Sequence, residues 1–251
     1  MAAAAILRAG AGDRAAVGLG PGPHVKICGL STGPTLDAAI SAGATMVGFV
    51  FHPRSPRYVT PHDAAGLSAR VAGRALRIAL MVDPDDAAIE AIMATLAPDA
   101  IQLHGAEPPA RVDEVRRASG RPVIKAVGIA TREDLAALGA AASTADLLLL
   151  DAKPPKNAAY PGGHGRPFDW SILAAAPPRA RFLLSGGLDA ANVAEAVGLA
   201  GAGAAGFAGV DVSSGVEASP GLKDVAKITA FVVAARAALA GTPQDRAEEP
   251  R

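Results

Sequence analysis

Along most of its length the chain repeats one pattern: a short apolar run rich in Val, Ile and Leu, then a longer stretch of helical periodicity. The runs are His24–Cys28, Met46–Phe51, Arg77–Val82, Ala100–His104, Pro122–Val127, Asp146–Asp151, Arg181–Ser185 and Gly206–Asp211. Strands covered on both faces lose the in/out alternation, so such runs read as a parallel sheet. Helical spacing of apolar positions follows over Leu36–Ala42, Asp63–Val71, Ala87–Leu96, Pro109–Ala118, Arg132–Leu138, Ala190–Val197 and Asp224–Ala238. Thr60-Pro61 and Asp83-Pro84 each pair a capping side chain with a first-turn proline and read as helix starts. The sixth unit is the weakest. Its helix, Trp170–Ala175, is short, and the loop before it, Ala152–Asp169, carries four prolines and three glycines. A loop of that length is usually functional or disordered.

Eight strand–helix units without a dividing linker predict the α/β class and a single (β/α)8 TIM barrel over residues 24–240. Residues 1–23, rich in Ala and Gly, read as a disordered extension, and residues 241–251, rich in Pro and charge, as a disordered tail. Half of the 251 residues are hydrophobic, and Lys+Arg and Asp+Glu are 24 each. A neutral balance offers no basic surface for nucleic acid or membrane, and no apolar run is long enough to span a bilayer. The lone cysteine, Cys28, cannot form an internal disulfide, so the fold does not call for an oxidising compartment and a cytoplasmic enzyme is expected. Zinc-type Cys/His spacing, a P-loop and a dinucleotide fingerprint are all missing. The chain is therefore read as working without metal or cofactor on a small molecule, as a monomer or homodimer.

In this architecture the catalytic groups sit at the C-terminal ends of strands. Here those ends carry Cys28, His104, Asp151, Ser185-Gly186-Gly187 and Asp211. Lys26 and Cys28 share a strand face, roughly 6–7 Å apart. The lysine would favour a thiolate, although a cysteine there also fits as a small core residue. Asp151 follows four leucines, where a poorly solvated carboxyl could serve as a general acid or cap the next loop. Arg57 lies on a loop stiffened by Pro53 and Pro56, able to clamp a carboxylate bidentately or to remain a solvated surface arginine. His104 suits a site or a structural role. The best supported inference is phosphate binding by Gly186 and Gly187 after strand seven and by Ser213, Ser214 and Gly215 after strand eight. Those two loops are the recurrent phosphate site of such barrels, and glycines let backbone N–H groups approach an anion.

Seven motifs in order, spanning about Val25 to Ala238, resemble the phosphoribosylanthranilate isomerase family of tryptophan biosynthesis. They are Val25-Lys26-Ile27-Cys28-Gly29; Val47–Phe51 with Ser55-Pro56-Arg57-Tyr58; Gln102-Leu103-His104-Gly105; Leu150-Asp151-Ala152-Lys153; Gly162-Gly163-His164-Gly165 with Phe168-Asp169-Trp170; Leu184–Leu188; and Val210–Glu217. The resemblance implies an Amadori rearrangement of N-(5-phosphoribosyl)anthranilate to 1-(2-carboxyphenylamino)-1-deoxyribulose 5-phosphate. It implies Cys28 as general base, Asp151 as general acid, Arg57 on the anthranilate carboxylate, the two glycine-rich turns on phosphate and Asp211 on the sugar hydroxyls. Two departures stand out: the turn Gly29–Pro34, and His164 where the family commonly has Thr, Ser or Asn. Two alternatives remain at this level. The related histidine-pathway isomerase uses an aspartate where this chain has Cys28. A non-catalytic barrel that binds a phosphorylated metabolite would not need both Cys28 and Asp151.

Overall fold

A computed structural model of the chain describes residues 18–20, 22–154, 162, 165, 167–175, 180–201 and 206–240. Eight parallel strands close into a barrel in sequence order, with β8 paired back onto β1. They are β1 (His24–Cys28), β2 (Met46–Val50), β3 (Leu76–Met81), β4 (Ala100–Leu103), β5 (Val123–Ile129), β6 (Leu147–Ala152), β7 (Phe182–Leu184) and β8 (Phe207–Val212). The helices α1 (Gly33–Ala42), α2 (Pro61–Val71), α3 (Asp86–Thr95), α4 (Pro109–Ser119), α5 (Arg132–Ala136), α6 (Gly139–Ala142), α7 (Ser171–Ala175), α8 (Val193–Gly201) and α9 (Val225–Leu239) follow the strands. The expected barrel is thus observed. Among the described residues no helix is long and apolar enough to cross a membrane.

Local chemistry explains several boundaries. Thr60 caps α2, its hydroxyl accepting from the Asp63 N–H at 3.1 Å, as expected. The third helix starts two residues later than the Asp83-Pro84 signal implied. Asp85 is its cap, accepting from Ala88 N–H at 2.8 Å. Asp83 instead adopts φ 45° and accepts from Ala106 N–H, tying the loops after β3 and β4 together. The single helix expected over Arg132–Leu138 ends at Ala136, and a second short helix begins at Gly139. After β8 the chain makes a 3-10 turn (Ser214–Val216) and a small hairpin of β9 (Glu217–Ser219) and β10 (Leu222–Lys223).

Burial divides the interior into an apolar and a polar storey. The main core, including Ile27, Phe49, Ile101, Phe182, Phe231 and Val232, lies between sheet and helices. Inside the bore, Met46, Ile78, Ala100, Ile124, Leu147, Leu149 and Leu183 fill the lower storey together with Leu19. The upper storey is polar, holding Lys26, Gln102 and Asp211, all buried. Leu19 is 4% exposed, and Arg181 donates to the carbonyl of Gly20 at 2.6 Å. The expected extension therefore reaches too far: its last residues close the barrel base, because a leucine there is removed from water. Residues 1–17 and 241–251 lie outside the described residues.

Candidate active site

The polar storey opens into one pocket at the C-terminal ends of the strands. Cys28, Arg57, His104, Asp151, Gly186, Gly187, Asp211, Ser213 and Ser214 all line it, with Gln102, Ser185 and Gly162. Of the residues singled out in the sequence, Lys26 and Gly215 do not line the wall; Lys26 lies beneath Cys28. Gly215 supports the wall: a Cβ there would lie 1.9 Å from the carbonyl oxygen of Leu188. The absence of a side chain lets the loops after β7 and β8 pack on each other.

Cys28 ends β1 and is 4% exposed. Lys26 is fully buried below it, but its ammonium donates to Asp211 Oδ1 at 2.6 Å. Burial pushes the Cys28 thiol up; Lys26 and Lys223 pull it down, and Asp211 opposes them, with burial prevailing. Lys26 does favour the thiolate, as expected, but burial outweighs it, and the lysine also pairs with Asp211. For Lys26, burial acts downward, yet Asp211 and Cys28 hold its ammonium above the ordinary range. Asp211 is committed on both oxygens, since Ser185 Oγ donates to Oδ2 at 3.2 Å.

Asp151 ends β6. Ala152 N–H donates to its Oδ1 at 2.8 Å, and His104 Nε2 lies 3.4 Å from its Oδ2. His104 in turn has its Nδ1 3.0 Å from Gln102 Nε2. Gly162 closes over the pair: a Cβ there would sit 2.6 Å from His104 Nε2 and 2.8 Å from Asp151 Oδ2.

Arg57 is not the solvated surface arginine that one sequence reading allowed. It is 5% exposed, and its bidentate edge belongs to Glu217, with Nε to Oε1 at 2.7 Å and Nη2 to Oε2 at 3.0 Å. Lys223 joins them, donating to Glu217 Oε1 at 2.9 Å, Ser213 O at 2.7 Å and Ser213 Oγ at 3.2 Å. Ser213 Oγ also reaches Cys28 O at 3.2 Å. One buried ion cluster thus holds Arg57 and the Ser213 turn together. Burial acts to raise the Glu217 carboxyl, but Arg57 and Lys223 keep it below its usual range. Sequence reasoning missed Glu217 as an anchor, although it closes the last motif. Lys223 left no signal at all, because its role exists only once the hairpin folds back.

Gly186 and Gly187 take φ of 87° and 71°, the left-handed region that favours glycine. They precede α8 by several residues, so the turn rather than the helix start presents their N–H groups. Those two N–H groups have no partner among the described residues. Asn192 holds the turn open, donating to Gly187 O at 2.9 Å. Among the described residues no His/Cys/Asp/Glu cluster is arranged to hold a metal.

Fold and pocket together define the class: a (β/α)8-barrel enzyme with a thiol, a carboxyl and two turns suited to an anion at one mouth. Comparison with known proteins narrows this. Residues 25–234 match the family model of N-(5'phosphoribosyl)anthranilate (PRA) isomerase. The N-(5'-phosphoribosyl)anthranilate isomerase of Azorhizobium caulinodans is 52% identical over 223 residues, 89% of this chain and 96% of that protein. The crystal structure of the phosphoribosyl anthranilate isomerase from Thermotoga maritima superposes with a TM-score of 0.73 at 36% identity, covering 85% of this chain and 98% of that one. A phosphoribosyl anthranilate isomerase in complex with reduced 1-(o-carboxyphenylamino)-1-deoxyribulose 5-phosphate gives 0.71 at 33% identity, covering 85% and 98%. The chain belongs to the N-(5'-phosphoribosyl)anthranilate isomerase family, whose members are aldose–ketose isomerases of tryptophan biosynthesis.

Proposed function

We propose that this chain carries out its family's rearrangement with Asp151 as general acid and Cys28 as general base. The observation that carries the reading is their convergence on one pocket with the Gly186-Gly187 and Ser213-Ser214 turns. Asp151 gives its proton to the furanose ring oxygen. The bond from that oxygen to C1 breaks, and the anilino nitrogen supplies the electron pair that makes the Schiff base. The Cys28 thiolate then takes the C2 proton, and the C2–H electrons move to form an enolamine. Loss of the enol proton and protonation at C1 yield the ketone. The acid and base roles need opposite protonation states in one pocket, so the two environments must differ. Cys28 sits on the apolar Val50 and Leu80 beside Lys26, whose ammonium is paired with Asp211, so the buried thiol must give up its proton before it acts as the base.

The turns after β7 and β8 would receive the phosphate on backbone N–H groups. Arg57, anchored by Glu217 at the pocket wall, would meet the anthranilate carboxylate. Asp211 would act through Lys26 and the sugar end of the pocket. The test is steady-state kinetics on Cys28→Ala and Asp151→Asn. Each should lower kcat by about 10²–10⁴-fold, with KM changed far less. A correctly folded Cys28→Ala enzyme with near-normal kcat would return Cys28 to a packing role.

A further inference from the structure

Gln102 stands apart in the upper bore. It is fully buried in β4, in register with Leu80 on one side and Ile124 on the other. Its Nε2 faces His104 Nδ1 at 3.0 Å, while its Oε1 is buried and accepts no hydrogen bond from any described residue. An orphaned buried acceptor lowers stability. A methionine of similar volume would fill the same space without that cost, so packing does not account for a glutamine here.

The hydrogen-bond chain accounts for it. An amide N–H donated to Nδ1 makes that nitrogen the acceptor, so the imidazole proton sits on Nε2. Asp151 Oδ2 lies 3.4 Å from that nitrogen. The distance is longer than a charge-assisted N–H···O⁻ bond, typically about 2.7–2.9 Å, and so leaves room to tighten as charge develops. Asp151 Oδ1 already receives the Ala152 N–H. When Asp151 gives up its proton, Oδ1 of the new carboxylate has its donor in place and Oδ2 has His104 Nε2 within reach. The donor on Oδ2 matters more in the transition state than before it, and only such interactions raise kcat.

We propose that Gln102 is a positioning residue that fixes the His104 tautomer, so that His104 Nε2–H stabilises the carboxylate left by Asp151 as it donates its proton. The proposal rests on the reading of Asp151 as the acid, and the experiment separates the two. The full-length protein is prepared with ¹⁵N-labelled histidine, and the His104 signals are assigned by their loss in His104→Gln. At neutral pH the ligand-free wild-type enzyme should show His104 protonated on Nε2 with Nδ1 as acceptor. A proton found on Nδ1 overturns the proposal, whatever the variants do. In Gln102→Met the single tautomer should be lost. Its kcat should fall about 10- to 100-fold, the size expected for a hydrogen bond to a charged group, with KM changed no more than about twofold. Its melting temperature should be unchanged or higher, because the orphaned oxygen is gone. Lower stability with unchanged kcat would make Gln102 structural and overturn the proposal. If Asp151→Asn keeps its activity, the acid assignment fails on its own account, while the tautomer measurement still reports on Gln102.

Discussion

The thiol of Cys28 lies between opposing influences: burial disfavours its anion, and the cations Lys26 and Lys223 favour it, with Asp211 drawing on the first of them. Because the thiol is held above its ordinary range, the thiolate fraction grows only at alkaline pH. The kcat/KM profile, which reports the free enzyme, should therefore still be rising where an ordinary thiol has already ionised. A limb that levels below the ordinary thiol range would show that the two lysines outweigh burial. The space for this sulfur comes from Gly48 on the paired strand β2. A Cβ there would lie 3.0 Å from Cys28 Sγ, 3.3 Å from its Cα and 3.4 Å from Lys26 Nζ. Gly48→Ala should destabilise the protein by about 1–3 kcal/mol, as overpacking does, and lower kcat by shifting the sulfur. In a Cys28→Ala background the same change should cost less, because the sulfur that it meets is gone. Thermal melts and kinetics of the cycle check this.

The element that most affects the pocket's geometry is the small hairpin β9–β10. It brings Glu217 and Lys223 beneath Arg57 and the Ser213 turn, in a cluster whose side chains are almost fully buried. Removing one partner of a buried ion cluster leaves the others uncompensated, at a cost of about 3–5 kcal/mol. Glu217→Gln should be destabilised on that scale at neutral pH, and calorimetry would measure it. The pH dependence has a definite sign. The Glu217 carboxyl is depressed in the folded protein, so its contribution is full above the ordinary carboxylate range and is lost as pH falls through the lower folded value. Wild type and Glu217→Gln should thus converge in stability on the acid side. A gap that stays constant down to low pH would mean that the glutamate's charge contributes nothing.

At the scale of the whole molecule, the barrel is closed below by residues that the composition of the first segment hides. Leu19 completes the lower storey with Met46, Ile78 and Ile124. Burying a leucine side chain is worth about 1.5–3 kcal/mol. A chain beginning at Gly18 should melt with the full-length protein, whereas one beginning at Pro23 should be less stable by about that amount. Both should keep their turnover, because the base lies at the opposite end of the bore from the pocket. Equal melting of the two truncations would show that Leu19 contributes no net stability.

The barrel was legible in the chain because eight doubly covered strands leave eight short, mainly apolar runs, and that pattern needs no knowledge of which strand pairs with which. Cys28, His104, Asp151, Asp211 and the two glycine-rich turns were legible for a related reason: each is a polar interruption where an apolar run ends, and closure brings strand ends to one mouth. What tertiary structure alone decided is pairing among polar groups far apart in sequence. Lys26 meets Asp211 across 185 residues and Arg57 meets Glu217 across 160. Those partners determine that the Lys26 ammonium is shared with Asp211 and that Arg57 is held rather than solvated, while burial in the closed barrel pushes the thiol up. Local sequence cannot foresee this, because the free energy of a buried charge depends on what lies within a few ångströms of it, and those neighbours exist only after the sheet has closed.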